Sequence, residues 1–285
     1  MKFHLLGSAA GKPVPRPFCT CRGCQAAITE GGHSLRSRTS MQVYLDGEGP
    51  GNVRYKVDLP PDTTHHVIRY RLDMTALEHL LITHAHPDHL DTTFLQVRRQ
   101  AISGSEALRE LHVYGSEEVE ERIRGALSDL AACKVRFHRV EPFSWMRVGD
   151  LEVFPLLAYH NYPATCFNYA VRAEGVMALL AWDTGYWPDA SWREASGLRF
   201  DAVFLECTVI GPQGRSLGPQ HHDLATFLSM KERMTETGLI AEDTPFIAVH
   251  IGDNGLVSHS EAQRLLDPHH VAVGYDGLLL DLDRS

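Results

Sequence analysis

The chain predicts an α/β (α+β) fold in which two β-sheets face each other and helices lie outside them. Two observations carry this. Short apolar runs rich in β-branched residues come in clusters, and helical stretches fall between clusters rather than after every strand. The 285 residues, 44% hydrophobic and 22% charged, are also enough for a large core. No internal repeat or low-complexity tract interrupts the chain, so residues 1–285 read as a single domain.

Met1 to Ala10 reads as a first strand running into a small-residue turn. It is too short and carries His4 too early for a secretory signal. Residues 7–17 are rich in Gly and Pro and predict a loop, and Gln25 to Glu30 a short helix. Ser40 to Leu45 and Arg54 to Leu59 predict a hairpin around Gly47-Glu-Gly-Pro-Gly51. Pro61 to Tyr70 predicts a helix, and Glu78 to Thr83 a buried strand that delivers the chain to His84. Ser116 is the predicted cap of a helix running to Leu130, with glutamates in its first turn. Strands are expected at Lys134–Val140, Leu151–Leu157, Asn168–Arg172, Val176–Trp182, Asp201–Glu206 and Phe246–His250. A helix is expected over Asp223–Thr237. Ser258 should cap a final short helix ending at Pro268, before short strands within Val271–Leu282.

A formal net charge of −9 argues against a broad nucleic-acid surface. No apolar run reaches the roughly 18 residues a membrane helix needs. A cytoplasmic protein with reduced thiols is expected. In that setting Cys19-x-Cys21-x-x-Cys24 favours a metal clip over a disulfide. A closed tetrahedral site needs a fourth donor.

The densest chemical signal is Thr83-His-Ala-His-Pro-Asp-His-Leu90, an H-x-H-x-D-H turn. His84 and His86 flank one residue at a strand end, so a tight turn can aim both imidazoles at one ion. Asp88 and His89 can reach a second. Imidazole with carboxylate suits zinc, manganese or iron. Two ions need more donors, and His160, Asp183 and His250 each stand where an apolar run meets a turn. A polar surface turn and unrelated strand-end residues are the competing reading. The remaining histidines read as surface or packing residues. Cys133, Cys166 and Cys207 read as small buried hydrophobes, with Cys207 a weak candidate for the pocket wall.

In this order, the turn followed by His160, Asp183 and His250 resembles the metallo-β-lactamase superfamily. Within it the chain is most similar to the phosphoribosyl cyclic phosphodiesterase group of phosphonate catabolism. The cysteine clip, Gln220-His-His-Asp-Leu224 and Val273-Gly-Tyr-Asp-Gly277 carry that finer likeness. The resemblance implies a four-layer αββα sandwich. It implies His84, His86 and His160 on one ion, and Asp88, His89 and His250 on the other, with Asp183 bridging. Asp58 would brace the metal turn. It further implies two catalytic divalent ions, zinc or manganese, with Asp88 counted among the catalytic residues. The site would keep a net positive charge of about one, suited to a small anionic phosphodiester.

The expected activity is hydrolysis of a small cyclic phosphate of the ribose 1,2-cyclic type by a metal-bridging hydroxide. His221 is the implied proton donor and His222 its neighbouring alternative. The resemblance also implies a structural zinc on Cys19, Cys21 and Cys24 within a segment at about 18–33. Its fourth donor is Asp253 by position, or His33 if the loop folds back. It suggests a homodimer as well. A lactone or thioester hydrolase, another cyclic-nucleotide or nucleic-acid phosphodiesterase, and a non-catalytic metal-dependent sensor are the alternatives. A tRNA-processing nuclease is disfavoured by the acidic charge and the lack of a basic arm.

Overall fold

The computed structural model of the chain describes residues 1–100, 108–212, 214–253 and 257–282. Two seven-stranded sheets carry the fold. The first contains β1 (Lys2–Gly7), β2 (Ser40–Tyr44), β3 (Tyr55–Val57), β4 (His79–Leu81), β5 (Leu111–Gly115), β6 (Val135–Arg139) and β14 (Leu278–Asp281). Their order is β14-β1-β2-β3-β4-β5-β6. The second contains β7 (Met146–Val148), β8 (Leu151–Leu157), β9 (Phe167–Ala173), β10 (Val176–Ala181), β11 (Ala202–Glu206), β12 (Phe246–Val249) and β13 (Ala272–Val273). Their order is β13-β12-β11-β10-β9-β8-β7.

Each sheet is half antiparallel and half parallel. Strands β3 to β6 run parallel in the first sheet, and β10 to β13 in the second. Both faces of the interior strands among these are covered, which explains the nearly continuous apolar runs of β10 to β12. Phe3, Val43, Val57, Phe167, Val171, Leu180 and Phe204 fill the space between the sheets. Helices α2 (Thr63–Tyr70), α3 (Thr93–Gln100) and α4 (Glu117–Ala126) cover the outside of the first sheet, where Leu95, Val119 and Ile123 meet Leu80, Ile82 and Val113. Helices α5 (Asp189–Glu194), α6 (Leu224–Glu236) and α7 (His259–Leu266) cover the second, with Trp192, Phe227, Met230 and Leu266 buried against Leu205 and Phe246. This is the expected αββα order. Helix α1 (Arg22–Glu30) follows the clip cysteines.

Most element bounds agree with expectation to within a few residues, and four elements were unassigned: α3, α5, β5 and β7. They are short or polar, so periodicity has little to register in them. The helix expected to Leu130 ends at Ala126. Ser116 stands at its N-cap without making a side-chain capping bond, contrary to expectation. Ser258 does cap α7, in a reciprocal box with Glu261, and Asp223 does the same for α6 with Thr226.

Candidate metal centre

The carboxyl ends of the parallel strands, joined by the end of β8, meet at one cleft. Asp58 follows β3, His84 follows β4 by way of Ile82 and Thr83, and Asp183 follows β10. Glu206 ends β11, His250 follows β12 and His160 follows β8. Open α/β sheets place ligand sites at such strand ends because the backbone turns there and points side chains into shared space. Three of these residues adopt left-handed backbone conformations, with φ of 60° at Asp58, 51° at Asp183 and 53° at His250. A non-glycine residue held there costs about 1–3 kcal/mol, and such strain clusters at functional sites.

The seven residues expected around two ions come together in two groups. One ring nitrogen each of His84, His86 and His160 falls within 4.8 Å of the others, and so do donor atoms of Asp88, His89, Asp183 and His250. His84 Nε2 is 2.9 Å and His160 Nε2 is 3.2 Å from His86 Nδ1. Asp183 stands between the groups. Its Oδ2 is 2.5 Å from His89 Nε2, 3.1 Å from His250 Nε2 and 3.6 Å from His84 Nε2, while Oδ1 is 3.9 Å from His160 Nε2. Asp88 Oδ2 adds a contact to His89 Nε2 at 3.2 Å.

The donor set fits divalent metal ions. Among the described residues, His89 Nε2, Asp183 Oδ2 and His250 Nε2 are buried with no aligned hydrogen bond despite lying this close together. Buried polar atoms normally have partners, so this crowding suits a shared cation. Burial, the largest influence, pushes His84 and His160 below the ordinary histidine range and keeps their rings neutral, as metal ligands must be. Burial also disfavours charge on His89. The carboxylates of Asp183, Asp88 and Asp58 outweigh it and raise His89 well above that range. The cluster thus holds positive charge where an ion would supply it.

Outer partners fix the rings. Asp58 accepts from the Thr83 N–H at 2.8 Å, from Trp182 Nε1 at 2.7 Å and from His89 Nδ1 at 2.6 Å. It therefore braces the metal turn and leaves His89 Nε2 free to face the centre. Thr83 Oγ1 lies 3.1 Å from His84 Nδ1, and Thr208 Oγ1 lies 3.1 Å from His250 Nδ1.

The two candidate donors differ sharply. His221 lines a cleft of about 310 Å³ with His86, Asp88, His160, Asp183, Thr208 and His250. Its Nδ1 is 2.9 Å from Glu206 Oε1 and 3.6 Å from Asp183 Oδ1. Burial lowers its proton affinity, but the hydrogen bond and charge of Glu206, then Asp183 and Asp88, raise it to about 9. His222 is fully buried, and its ring has no hydrogen-bond partner among the described residues. Only its backbone N–H joins the network, at 3.2 Å from Glu206 Oε2. Side chains of neighbouring residues point apart at the entry to α6, so the alternative donor is not brought to the site.

Glu206 is the residue that sequence reasoning missed. Its neighbour Cys207, the weak candidate for the pocket wall, is instead fully buried in the core beneath α6. Oε1 of Glu206 accepts from the Thr184 N–H at 2.7 Å as well as pairing with His221. Oε2 accepts from Thr208 Oγ1, the Thr208 N–H at 3.3 Å and the His222 N–H. A carboxylate so fully occupied anchors His221, although Asp183, Glu206, His221 and His250 also lie close enough for an ion. A strand-end Glu followed two residues later by Thr was the available signal.

Two glycines allow the close approaches. A Cβ on Gly185 would sit 1.8 Å from the Pro219 carbonyl, so glycine lets the His221 loop lie against the Asp183 turn. A Cβ on Gly11 would stand 3.1 Å from Asp88 Oδ2, and the neighbouring Lys12 lines the cleft.

The clip cysteines also converge. One donor atom each of Cys19, Cys21, Cys24 and Asp253 lies within 4.8 Å of the others, a donor number and type suited to tetrahedral zinc. His33 is not among them. It stacks on Tyr275 with ring centroids 3.7 Å apart and meets His259 edge-on at 5.0 Å, so folding back towards the cysteines is not what its loop does.

Comparison with known proteins agrees with this geometry. The family model described as the beta-lactamase superfamily domain matches residues 58–251, more than half of the chain. No curated protein matches. Among solved structures, a diphosphatase from the PhnP family is 22% identical and superposes with a TM-score of 0.75, covering 99% of this chain and 98% of that one. Zn(2+)-bound PqqB from Methylobacterium extorquens is 19% identical with a TM-score of 0.74 over 99% and 100%. The short form of human tRNase Z is 13% identical with a TM-score of 0.63 over 99% and 100%. At these identities the likeness is one of fold. Among the described residues no helix is long and apolar enough to cross a membrane. The chain belongs to the β-lactamase superfamily and is a metal-dependent hydrolase of the metallo-β-lactamase fold.

Proposed function

We propose that the chain is a phosphodiesterase for a small cyclic phosphate of the ribose 1,2-cyclic type. The observation that carries this reading is the Glu206-backed His221 beside the two donor groups. Opening a cyclic phosphate diester releases an alkoxide, which needs a proton. A thioester releases a thiolate, which needs acid help far less. A lactone also releases an alkoxide, and against it the reading rests on the positive charge of two ions and Lys12, suited to an anionic diester.

In this reading His84, His86 and His160 would hold one ion and Asp88, His89 and His250 the other, with Asp183 available to both. Two divalent ions supply charge for the phosphoryl oxygens and lower the pKa of the attacking water. The chain's own residues do the rest. Asp58 keeps the metal turn in place through Thr83 and His89. Glu206 occupies His221 Nδ1, so Nε2 is the nitrogen that gives its proton to the leaving oxygen. Thr184 and Thr208 hold Glu206 still while this happens. Lys12, the only lysine or arginine lining the cleft among the described residues, adds positive charge at the rim for an anionic substrate. The cleft of about 310 Å³ suits a sugar phosphate better than a polymer.

The test is a substrate panel with purified protein loaded with zinc or with manganese. It compares ribose 1,2-cyclic phosphate, cyclic nucleotides, a linear diester, a diphosphate, a lactone and a thioester. The cyclic sugar phosphate is expected to give the highest kcat/KM. Turnover confined to the lactone or thioester overturns the proposal. A preference for the diphosphate would move it to the bond named for the PhnP-family neighbour.

A further inference from the structure

The clip has an unusual neighbour. Arg16 touches three of its four donor residues. Its Nη1 is 2.8 Å from Asp253 Oδ2, its Nη2 is 3.4 Å from Cys19 Sγ, and its backbone N–H donates to Cys24 Sγ at 3.3 Å. The Arg16 carbonyl also accepts from the Cys19 N–H at 3.2 Å, which closes the loop around the cysteines.

Charge gives this arrangement a purpose. A divalent ion on three thiolates and an imidazole leaves a net charge of about −1, one of the common structural zinc types. A carboxylate in place of the imidazole leaves about −2, and partly buried charge of one sign is costly. A guanidinium against that carboxylate brings the assembly back to about −1. Asp253 is only 11% exposed at its side chain, so solvent offsets little of this charge. Arg16 takes one carboxylate oxygen, and a carboxylate has a second to offer an ion.

We infer that Asp253 is the fourth ligand of a Cys3Asp divalent-metal site and that Arg16 is its positioning residue and counter-charge. The aspartate and the arginine form one functional unit: the carboxylate is a competent ligand because the guanidinium orients it and offsets its extra charge. A histidine at position 253 would need no such partner. The inference is independent of which substrate the cleft hydrolyses.

The test uses the full-length protein and cobalt(II). Thiolate-to-cobalt charge-transfer absorption reports on the clip alone, because the histidine–aspartate centre has no thiolate among its donors. Zinc affinity follows from displacement of that signal in a zinc–chelator buffer. Arg16→Gln is expected to weaken zinc about 10–100-fold, the usual cost of removing an outer partner of a metal ligand. Arg16→Lys, which keeps charge but loses the planar fork, is expected to fall between. Asp253→Ala is expected to change the cobalt band positions as the fourth ligand is lost. In an Asp253→His background the same Arg16→Gln change should cost less than about threefold. Equal losses in the two backgrounds would show that Arg16 supports the loop and not the carboxylate. Unchanged affinity in Arg16→Gln, or an unchanged cobalt spectrum in Asp253→Ala, also overturns the inference. If Arg16→Gln does not fold, the Arg16→Lys pair of measurements decides in the same way.

Discussion

At the histidine–aspartate centre, donors from four separate parts of the chain leave strand ends and meet in space, and buried outer partners Thr83, Asp58 and Thr208 hold the rings of His84, His89 and His250. At the clip, three of four donors come from six residues of loop, Cys19 and Cys21 are partly exposed, and the main outer partner is one arginine. The first site is fixed by the fold before any ion arrives. At the second, one loop brings the cysteines together and Arg16 ties Cys19, Cys24 and Asp253 to it. Preorganisation favours chemistry, and a local clip favours stability.

Breaking the shared carboxylate should have the largest effect. Asp183→Asn is expected to lower kcat on the order of 10³-fold and to deplete the catalytic ions while the clip keeps its metal. Metal analysis alongside kinetics checks both halves, and loss of metal from both sites together would erase the contrast. His221→Ala comes next, with kcat lower by about 10²–10³-fold and metal content unchanged. A substrate with a nitrophenolate leaving group should be nearly spared, since it needs no donated proton.

The donor's pH behaviour sharpens this. His221 must be protonated to act and is raised to about 9 with Asp183 and Asp88 free of metal. Ions on those carboxylates draw this down, so kcat should fall as pH rises through a value below that. Glu206→Gln removes the strongest raising influence and should move the falling limb to lower pH. Asp58→Asn should cost about 10–100-fold in affinity for the catalytic ions, read by titration against a chelator. The smallest effect on turnover is expected at the clip. Cys24→Ser should lower Tm by about 3 °C, roughly 2 kcal/mol, while kcat stays within about threefold.

The same contrast explains what was legible in the sequence. The H-x-H-x-D-H turn carries its chemistry in adjacent residues, and His160, Asp183 and His250 announce themselves at the ends of apolar runs. The two-sheet architecture was legible for a related reason, because strands covered on both faces read as continuous apolar segments. Glu206 was not legible. Its Thr208 partner is two residues away, but its role depends on Thr184 and His221, which come from distant loops, and the Glu-x-Thr spacing alone does not encode that meeting. His221 and His222 are indistinguishable as neighbours in a string, and the backbone path into α6 separates them. His33 looked available to the cysteines by sequence distance, but Tyr275, from the far end of the chain, holds it elsewhere. Helices α3 and α5 and the edge strand β7 escaped because a few mixed residues carry little period, and β5, though interior, because His112 interrupts a five-residue apolar run.

The hydroxyl of Thr208 touches both the carboxylate behind the proton donor and the ring of a metal ligand. Asp183 likewise lies 3.6 Å from His221 while serving the metal groups. Proton and metal therefore share one thermodynamic cycle. An ion arriving at His250 and Asp183 lowers the proton affinity of His221, and by reciprocity a proton on His221 weakens the ion by the same free energy. Acidity and metal supply thus act on one equilibrium.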